Sequence, residues 1–366
     1  MSAALLQVRG LRVTFPTPDG PLEAVRGVDL DVPSGTVVGV VGESGSGKSV
    51  TMLSMLGLIQ GAQVSGQALF EGRDLLGMSA SELRKVRGAR IAMVFQDPLS
   101  SLHPHYRVGW QIAEMIRAHE PVSRAQARRR AVELLAMVGI PQPEQRVDDY
   151  PHQFSGGMRQ RVMIAMALAL HPRLLIADEP TTALDVTVQL QILDLLRRLQ
   201  AELDTAVIIV THDLGVIAEM AQEVLVMYAG QVVERASRRG IYRHPHHPYT
   251  RGLLGSLPAR AELPGRPHAP LGAERGRRDR LTPIPGQPPS LLHVPSGCPF
   301  HPRCPFVMDV CRRKPPELRP LDADGSHRSA CWLPVDLVGL GPEVDGRRQA
   351  AAEAGRARLG RSQEAG

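Results

Sequence analysis

Long apolar runs are missing from this chain of 366 residues. The longest candidate, VMIAMALAL (162–170), reaches about half of the 18 or so residues that a membrane span needs. A role at a membrane would therefore come through a partner. The opening MSAALLQVRG has neither the basic start nor the apolar run of a signal peptide, so a cytosolic chain is expected. A basic face on the folded part is also lacking. Residues 1–255 hold 26 Lys and Arg against 25 Asp and Glu, whereas residues 256–366 hold 17 against 12. Most of the formal charge of +6 thus sits in the tail. Nucleic-acid binders usually concentrate basic charge on the folded domain, so nucleic acid is not an expected partner. The Arg- and Pro-rich tail reads more simply as a solvated segment than as a binder of anionic lipid heads. Cysteine is absent before residue 298, and neither an internal repeat nor an extended heptad pattern is visible.

What is present is ordinary globular material, 43% apolar and 22% charged, with length for one large domain and a smaller one. Residues 1–40 alternate apolar and polar between the turn signals TPDG and PSG, which predicts antiparallel strands and hairpins. TVVGVVG (36–42) is a short β-branched run that ends at a glycine-rich turn, so it predicts a buried strand, and KSVTMLSMLGL predicts the helix after it. The same alternation returns as RLLIAD (173–178), the helix VTVQLQILDLLRRLQAEL and AVIIVTHD (206–213). In that helix Val188, Ile192, Leu195, Leu196, Leu199 and Leu203 share one face. Strands alternating with helices argue for a parallel sheet covered by helices. Residues of about 105–165 read as almost wholly helical, including a Ser123/Gln126 capping box, and predict a helical subdomain inserted between two halves of the α/β core. The stretch 263–290 is rich in Pro, Gly and Arg and predicts little regular structure, and the last 30 residues read as disordered.

GESGSGKS fits G-x-x-x-x-G-K-[ST] and lies between a predicted strand and a predicted helix, the context that gives the motif its meaning. Gly42, Glu43, Ser44, Gly45, Ser46 and Gly47 would wrap the phosphates with backbone N–H groups. Lys48 would reach the β/γ oxygens and Ser49 would ligate Mg²⁺, with Val50 in the helix beyond. ATP or GTP is the expected ligand. LLIADEP (174–180) delivers Asp178 to the C-terminal end of a buried strand, where ligands collect in parallel sheets. Asp178 suits Mg²⁺, and Glu179 suits a general base for an attacking water, which is useful only where hydrolysis is the purpose. A second phosphate cradle, SGGMRQR (155–161), opens a basic helix more than a hundred residues later.

Taken together, these motifs resemble the ATP-binding subunits of ABC transporters over about residues 5–255. The P-loop at 42–49, VFQDP with Gln96, SGGMRQR, LLIADEP, ALD (183–185) and VTHD with His212 stand in that family's order. The resemblance implies a P-loop ABC ATPase core of α/β class, a mixed sheet with an antiparallel β subdomain, an inserted helical subdomain and a C-terminal extension. It implies that Phe15 stacks on adenine, that Gln96 helps ligate Mg²⁺ and senses the membrane subunit, and that His212 aligns the γ-phosphate and water. Asp185 belongs to the D-loop. It also answers why there are two cradles: two nucleotide domains pair head to tail, so Ser155, Gly156 and Gly157 would cover ATP held by a partner's P-loop. Closure would then depend on the γ-phosphate, and an isolated subunit would be a poor hydrolase. Phe154 stands where the family often has Leu.

All four cysteines fall at 298, 304, 311 and 331. A cytosolic chain seldom holds structural disulfides, so a metal or cluster site is the natural reading of Cys298, Cys304, Cys311 and Cys331. The tight C-x2–4-C pair of zinc sites is missing, and four thiolates suit a [4Fe–4S] cluster about as well or better; zinc or free thiols are the alternatives. The run HPHHPYTRGLLGSLP, the Pro-rich stretch and GCPFHPRCPF resemble the C-terminal extension of dipeptide, oligopeptide and nickel importer ATPases, some of which carry such a cluster. His244, His246 and His247 read as a bridge between core and tail before they read as metal ligands.

The expected division is 1–255 for the nucleotide-binding domain, 256–333 for the extension and 334–366 for a disordered tail. The expected partners are two transmembrane permeases, a second and non-identical ATPase subunit, and indirectly an extracytoplasmic binding protein, at the cytoplasmic face of a bacterial inner membrane. An exporter subunit, a soluble ABC ATPase of DNA repair or translation, and a nucleotide-binding scaffold are the competing classes. The single nucleotide domain, the near-neutral core and the intact Glu179 and His212 weigh against the last two.

Overall fold

The computed structural model describes residues 4–97, 101–182, 184–256 and 283–335. Most of the stretch 263–290, the terminal 30 residues and Ala183 of the ALD segment lie outside them.

Two sheets organise the chain. The strands β1 (Ala4–Thr17), β2 (Gly20–Pro33), β4 (Gln63–Phe70) and β5 (Arg73–Asp74) form an antiparallel sheet in the order β2-β1-β4-β5. The larger sheet contains β3 (Val37–Val41), β6 (Ile91–Val94), β7 (Leu174–Asp178), β8 (Ala206–Thr211), β9 (Glu223–Tyr228), β10 (Gln231–Ser237), β11 (Arg319–Pro320) and β12 (Arg328–Ser329). Its order is β11-β12-β10-β9-β3-β8-β7-β6. The five strands from β9 to β6 run parallel, and β10, β12 and β11 add an antiparallel margin.

The parallel strands are buried on both faces, so their residues are apolar without alternation. In β3, Val37 and Val41 enter a core shared with the helices, whereas Val38 and Val40 enter a core shared with the antiparallel sheet. Likewise β8 sends Val207 and Ile209 to the first and Ile208 and Val210 to the second. A one-residue slip in either strand would exchange the two sets, so register is fixed by both layers at once. Each such side chain contributes about 1.5–3 kcal/mol when fully buried.

Helices Val108–Arg117, Arg124–Met137, Pro143–Arg146 and Gly156–Leu168 fill the region between β6 and β7, where a helical insertion was expected. The Ser123/Gln126 box forms: Gln126 N–H donates to Ser123 Oγ at 3.2 Å and Ser123 N–H donates to Gln126 Oε1 at 2.9 Å. Helix Val186–Leu203 buries Ile192, Leu195, Leu196 and Leu199 as its periodicity predicts, and Leu193 besides. Val188 and Leu203, placed on the same face, are only half-buried.

The described part of the extension is not a separate appendage. Strand β12 pairs with β10 through Glu234–Ser329 and Arg235–Arg328, so the tail completes the edge of the main sheet. Glu234, fully buried in β10, accepts from the backbone N–H groups of His246 and His247 at 2.6 and 2.9 Å and pairs with His327 Nε2 at 2.7 Å. Burial would raise its pKa, but the bonds from His327 and those two amides together hold it below the usual carboxylate value. His246 Nδ1 lies 2.9 Å from Ser329 Oγ. The His-Pro-His-His segment therefore joins core to tail.

Candidate functional site

The P-loop leaves β3 at Gly42, and helix Lys48–Met55 begins directly after Gly47. Two glycines are obligatory here. A Cβ at Gly42 would stand 2.2 Å from Met227 O, and at Gly47, where φ is 96°, 2.5 Å from Ala24 O. The loop thus wraps tightly against β9 and β2. Lys48 is buried, and its Nζ donates to Gly42 O at 2.8 Å and Glu43 O at 2.9 Å. Burial lowers its pKa against the opposing pull of Glu179, Asp178 and Glu43.

Strand β7 delivers Asp178 beside this loop, and Ser49 Oγ donates to Asp178 Oδ1 at 2.9 Å. Burial raises the pKa of Asp178 more than Ser49 and Lys48 lower it. Glu179 follows with φ of 49°, a left-handed backbone that few glutamates adopt. It collects three partners: Thr182 Oγ1 at 2.8 Å, Gln96 Nε2 at 3.1 Å and His212 Nδ1 at 3.1 Å. Burial pushes its pKa up, yet the bonds from Thr182 and His212 hold it below the ordinary value, so Glu179 is ionised at neutral pH. Gly42 to Val50, Gln96, Glu179, Thr182, His212 and Leu253 line a single cleft of about 610 Å³.

The remaining expected site residues lie elsewhere. Phe15 is half-buried against the antiparallel-sheet core and does not line the cleft. Ser155 caps helix Gly156–Leu168 by accepting from Met158 N–H at 3.3 Å, and neither it nor Gly156 or Gly157 lines the cleft. Gly157 has a packing duty as well, since a Cβ there would meet Val188 Cγ1 at 2.5 Å. Asp185 caps helix Val186–Leu203 through Val188 N–H at 3.0 Å. Sequence reasoning missed Thr182 and Leu253 as lining residues. It also missed Arg303, whose guanidinium donates to both carboxylate oxygens of the P-loop's Glu43 at 2.7 and 2.9 Å. Thr182 could have been found from its place three residues after Glu179; the other two carry no local signal.

A strand, a glycine loop clamping a buried lysine, and a carboxylate pair at the neighbouring strand end define a P-loop nucleotide-binding ATPase. Residues 25–182 match the ABC transporter family, and residues 233–311 match the oligopeptide/dipeptide transporter C-terminal region. The chain is 47% identical to the oligopeptide transport ATP-binding protein OppD of Escherichia coli over 336 residues, 91% of this chain and 94% of that protein. It is 49% identical to the dipeptide transport ATP-binding protein DppD of Bacillus subtilis over 332 residues, 90% and 94% of the two. A dimeric post-hydrolysis structure of the ATP-binding cassette MJ0796, bound to ADP and Pi, superimposes with a TM-score of 0.58 at 29% identity, covering 64% of this chain and 99% of that one. The chain belongs to the ATP-binding subunits of ABC transporters and is an ATPase of that type. No helix among the described residues is long and apolar enough to cross a membrane.

The four cysteines are free and line one cavity together with His247, Phe300, His301 and Trp332. Burial pushes Cys304 up to about 12 and Cys331 up to about 11. Among the described residues no three His, Cys, Asp or Glu side chains stand close enough to hold a metal ion. Neither the [4Fe–4S] expectation nor its zinc alternative gains support from the comparisons. The free space between the thiols is about 10 Å³, so loading would require the lining to move apart.

Proposed function

We propose that this chain energises the import of dipeptides or oligopeptides, with nickel as an alternative cargo, at the cytoplasmic face of a bacterial inner membrane. The observation that carries this reading is the match of residues 233–311 to the peptide-transporter C-terminal region, on a chain collinear with peptide-transport relatives over about nine-tenths of its length. Its partners are two permeases, a second ATPase chain and, through the permeases, an extracytoplasmic binding protein; nucleic acid has no part.

In this reading residues 1–255 are the ATPase domain, 256–333 the peptide-importer extension and 334–366 a tail. The loop from Gly42 to Ser49 cradles the phosphates, Lys48 leaves its resting carbonyls for the β/γ oxygens, and Phe15 meets the adenine. The oxygens of Ser49 and Asp178, 2.9 Å apart, fit a Mg²⁺ held otherwise by water and phosphate, with Gln96 joining them. Bound there, Mg²⁺ would neutralise charge developing on the phosphoryl group. Glu179, ionised and held by Thr182, accepts the proton of the attacking water, while His212 orients water and γ-phosphate. Ser155, Gly156, Gly157 and Asp185 face a partner ATPase. Exposed Val186 and Leu190 on the helix that Asp185 caps suit such a contact. The four cysteines are read as a [4Fe–4S] seat that opens on loading. What supports this is that all four line one apolar cavity.

The test is uptake of a labelled peptide by cells with and without the chain, repeated with Lys48→Ala. Uptake that depends on both the chain and Lys48 is expected. Unchanged peptide uptake together with lost nickel uptake would move the assignment to the alternative cargo, and loss of neither would overturn it. Iron and sulfide content of anaerobically purified protein decides the cysteine reading: about four of each supports it, none removes it.

A further inference from the structure

Glu43 is the only P-loop residue whose side chain carries a negative charge, and it lines the cleft that receives phosphate. An unpaired carboxylate there would repel the ligand. In this fold it is paired with Arg303, 260 residues away, which enters from the cysteine-bearing extension between Cys298 and Cys304. The contact is two-pronged, Nη1 to Oε2 at 2.7 Å and Nη2 to Oε1 at 2.9 Å, the geometry in which a guanidinium cannot be replaced by an ammonium.

Arg303 is itself fixed on every side. Its side chain is 6% exposed, Nε donates to Pro285 O at 2.9 Å, and Nη1 reaches Tyr228 Oη at 3.3 Å. Its guanidinium also lies 5.8 and 5.9 Å from the ring centres of Tyr228 and Phe300. Glu43 is equally constrained: its N–H donates to Tyr249 Oη at 2.8 Å, and its carbonyl accepts from Lys48. A single residue of the phosphate loop is therefore held by its side chain, its amide and its carbonyl, and the first of these holds comes from the extension.

We propose that Arg303 is a positioning residue for the nucleotide site: the extension clamps Glu43 through it, cancelling the loop's own negative charge and fixing the loop in its phosphate-accepting shape. The inference rests on the reading of residues 42–49 as the ATP cradle. It gives the extension a task inside the ATPase cycle, since whatever displaces the Cys298–Cys304 turn withdraws the guanidinium from the P-loop. Glu43 would then face the phosphates without its counter-charge, and nucleotide affinity would fall.

The test uses the full chain and a fluorescent ATP analogue with Mg²⁺, titrated against wild type, Arg303→Met, Arg303→Lys, Glu43→Gln and the double variant Arg303→Met/Glu43→Gln. Arg303→Met should weaken binding about tenfold, within the usual range for coupling between sites. Arg303→Lys should recover little of it. Adding Glu43→Gln to Arg303→Met should restore most of the affinity that Arg303→Met loses, because the loss comes from the bared carboxylate. A residue that only supports the fold would lower the thermal midpoint without that rescue. Arg303→Met binding like wild type would overturn the inference, and so would a double variant as weak as Arg303→Met. Should Arg303→Met not fold, amide exchange of residues 42–48 in Arg303→Lys decides: faster exchange there than in wild type supports the clamp, unchanged exchange overturns it. Failure of wild type itself to bind would instead sink the reading of the P-loop.

Discussion

The nucleotide cleft and the cysteine cavity are separated by the rings of Tyr228, Tyr249 and Phe300, whose centres lie 4.6–5.5 Å apart. On one side about 610 Å³ is open to solvent and lined by Lys48, Glu43, Glu179 and His212. On the other about 10 Å³ is enclosed by thiols, rings and a neutral imidazole, with burial holding His247 down at about 4. Charge in the cleft is tolerated because each group has partners: Glu179 has three, Lys48 two carbonyls and Glu43 a guanidinium. In the cavity burial outweighs the local hydrogen bonds, so His247 stays neutral and Cys298, Cys304 and Cys331 stay protonated. The difference teaches that the cleft is shaped to receive a charged ligand as it stands, whereas the cavity must rearrange to receive anything.

The largest expected effect comes from removing the wall between them. Phe300 is buried and touches both tyrosines, so Phe300→Ala should destabilise the protein by about 3–5 kcal/mol in denaturant unfolding. A change below about 1 kcal/mol would mean that the two sites are not built on a common wall. Next, Lys48→Ala removes a buried cation together with its bonds to the carbonyls of Gly42 and Glu43. We expect MgATP affinity to fall by about 10–100-fold, the loss of charged hydrogen bonds worth about 1.5–3 kcal/mol.

A smaller effect sharpens the comparison from the tail's side. Glu234 is held ionised by His327 and two amides, so its folded pKa lies below its unfolded value near 4.5. Its contribution to stability is therefore present above that value and is lost as pH falls through the folded pKa. Glu234→Gln should cost about 1–3 kcal/mol at pH 7, and its thermal midpoint should fall less than wild type's as pH drops below about 4.5. Parallel pH curves for the two proteins would show that the latch between β10 and the tail does not depend on this charge.

The same comparison explains what could be read from the sequence. The cleft was legible because its parts are local: a strand, a loop of six residues (Gly42–Gly47) and the start of a helix place Gly42 to Ser49 by themselves, and β7 places Asp178 and Glu179 in the same way. Gln96 and His212 were legible from motifs that end neighbouring strands. Ser155 was named from a motif and Phe15 through the family resemblance, but the chain alone sets neither in the cleft, since Phe15 lies in the other sheet and Ser155 begins a helix whose end is exposed. The clamp from Arg303 to Glu43 was not legible, because it spans 260 residues and depends on the edge pairing of β12 with β10 that brings the tail back. The tail's texture of Pro, Gly and Arg suggested a loose segment. Two-residue strands leave no periodicity by which the pairing could be seen.

The measurement that goes most directly to the central claim is MgATP binding and phosphate release by Glu179→Gln in the assembled transporter. With Glu179 as the base, affinity should stay within about threefold of wild type while turnover at this subunit's site falls by about a hundredfold or more. Turnover close to wild type, with affinity unchanged, would contradict the assignment of hydrolysis to the carboxylate that Gln96, Thr182 and His212 surround.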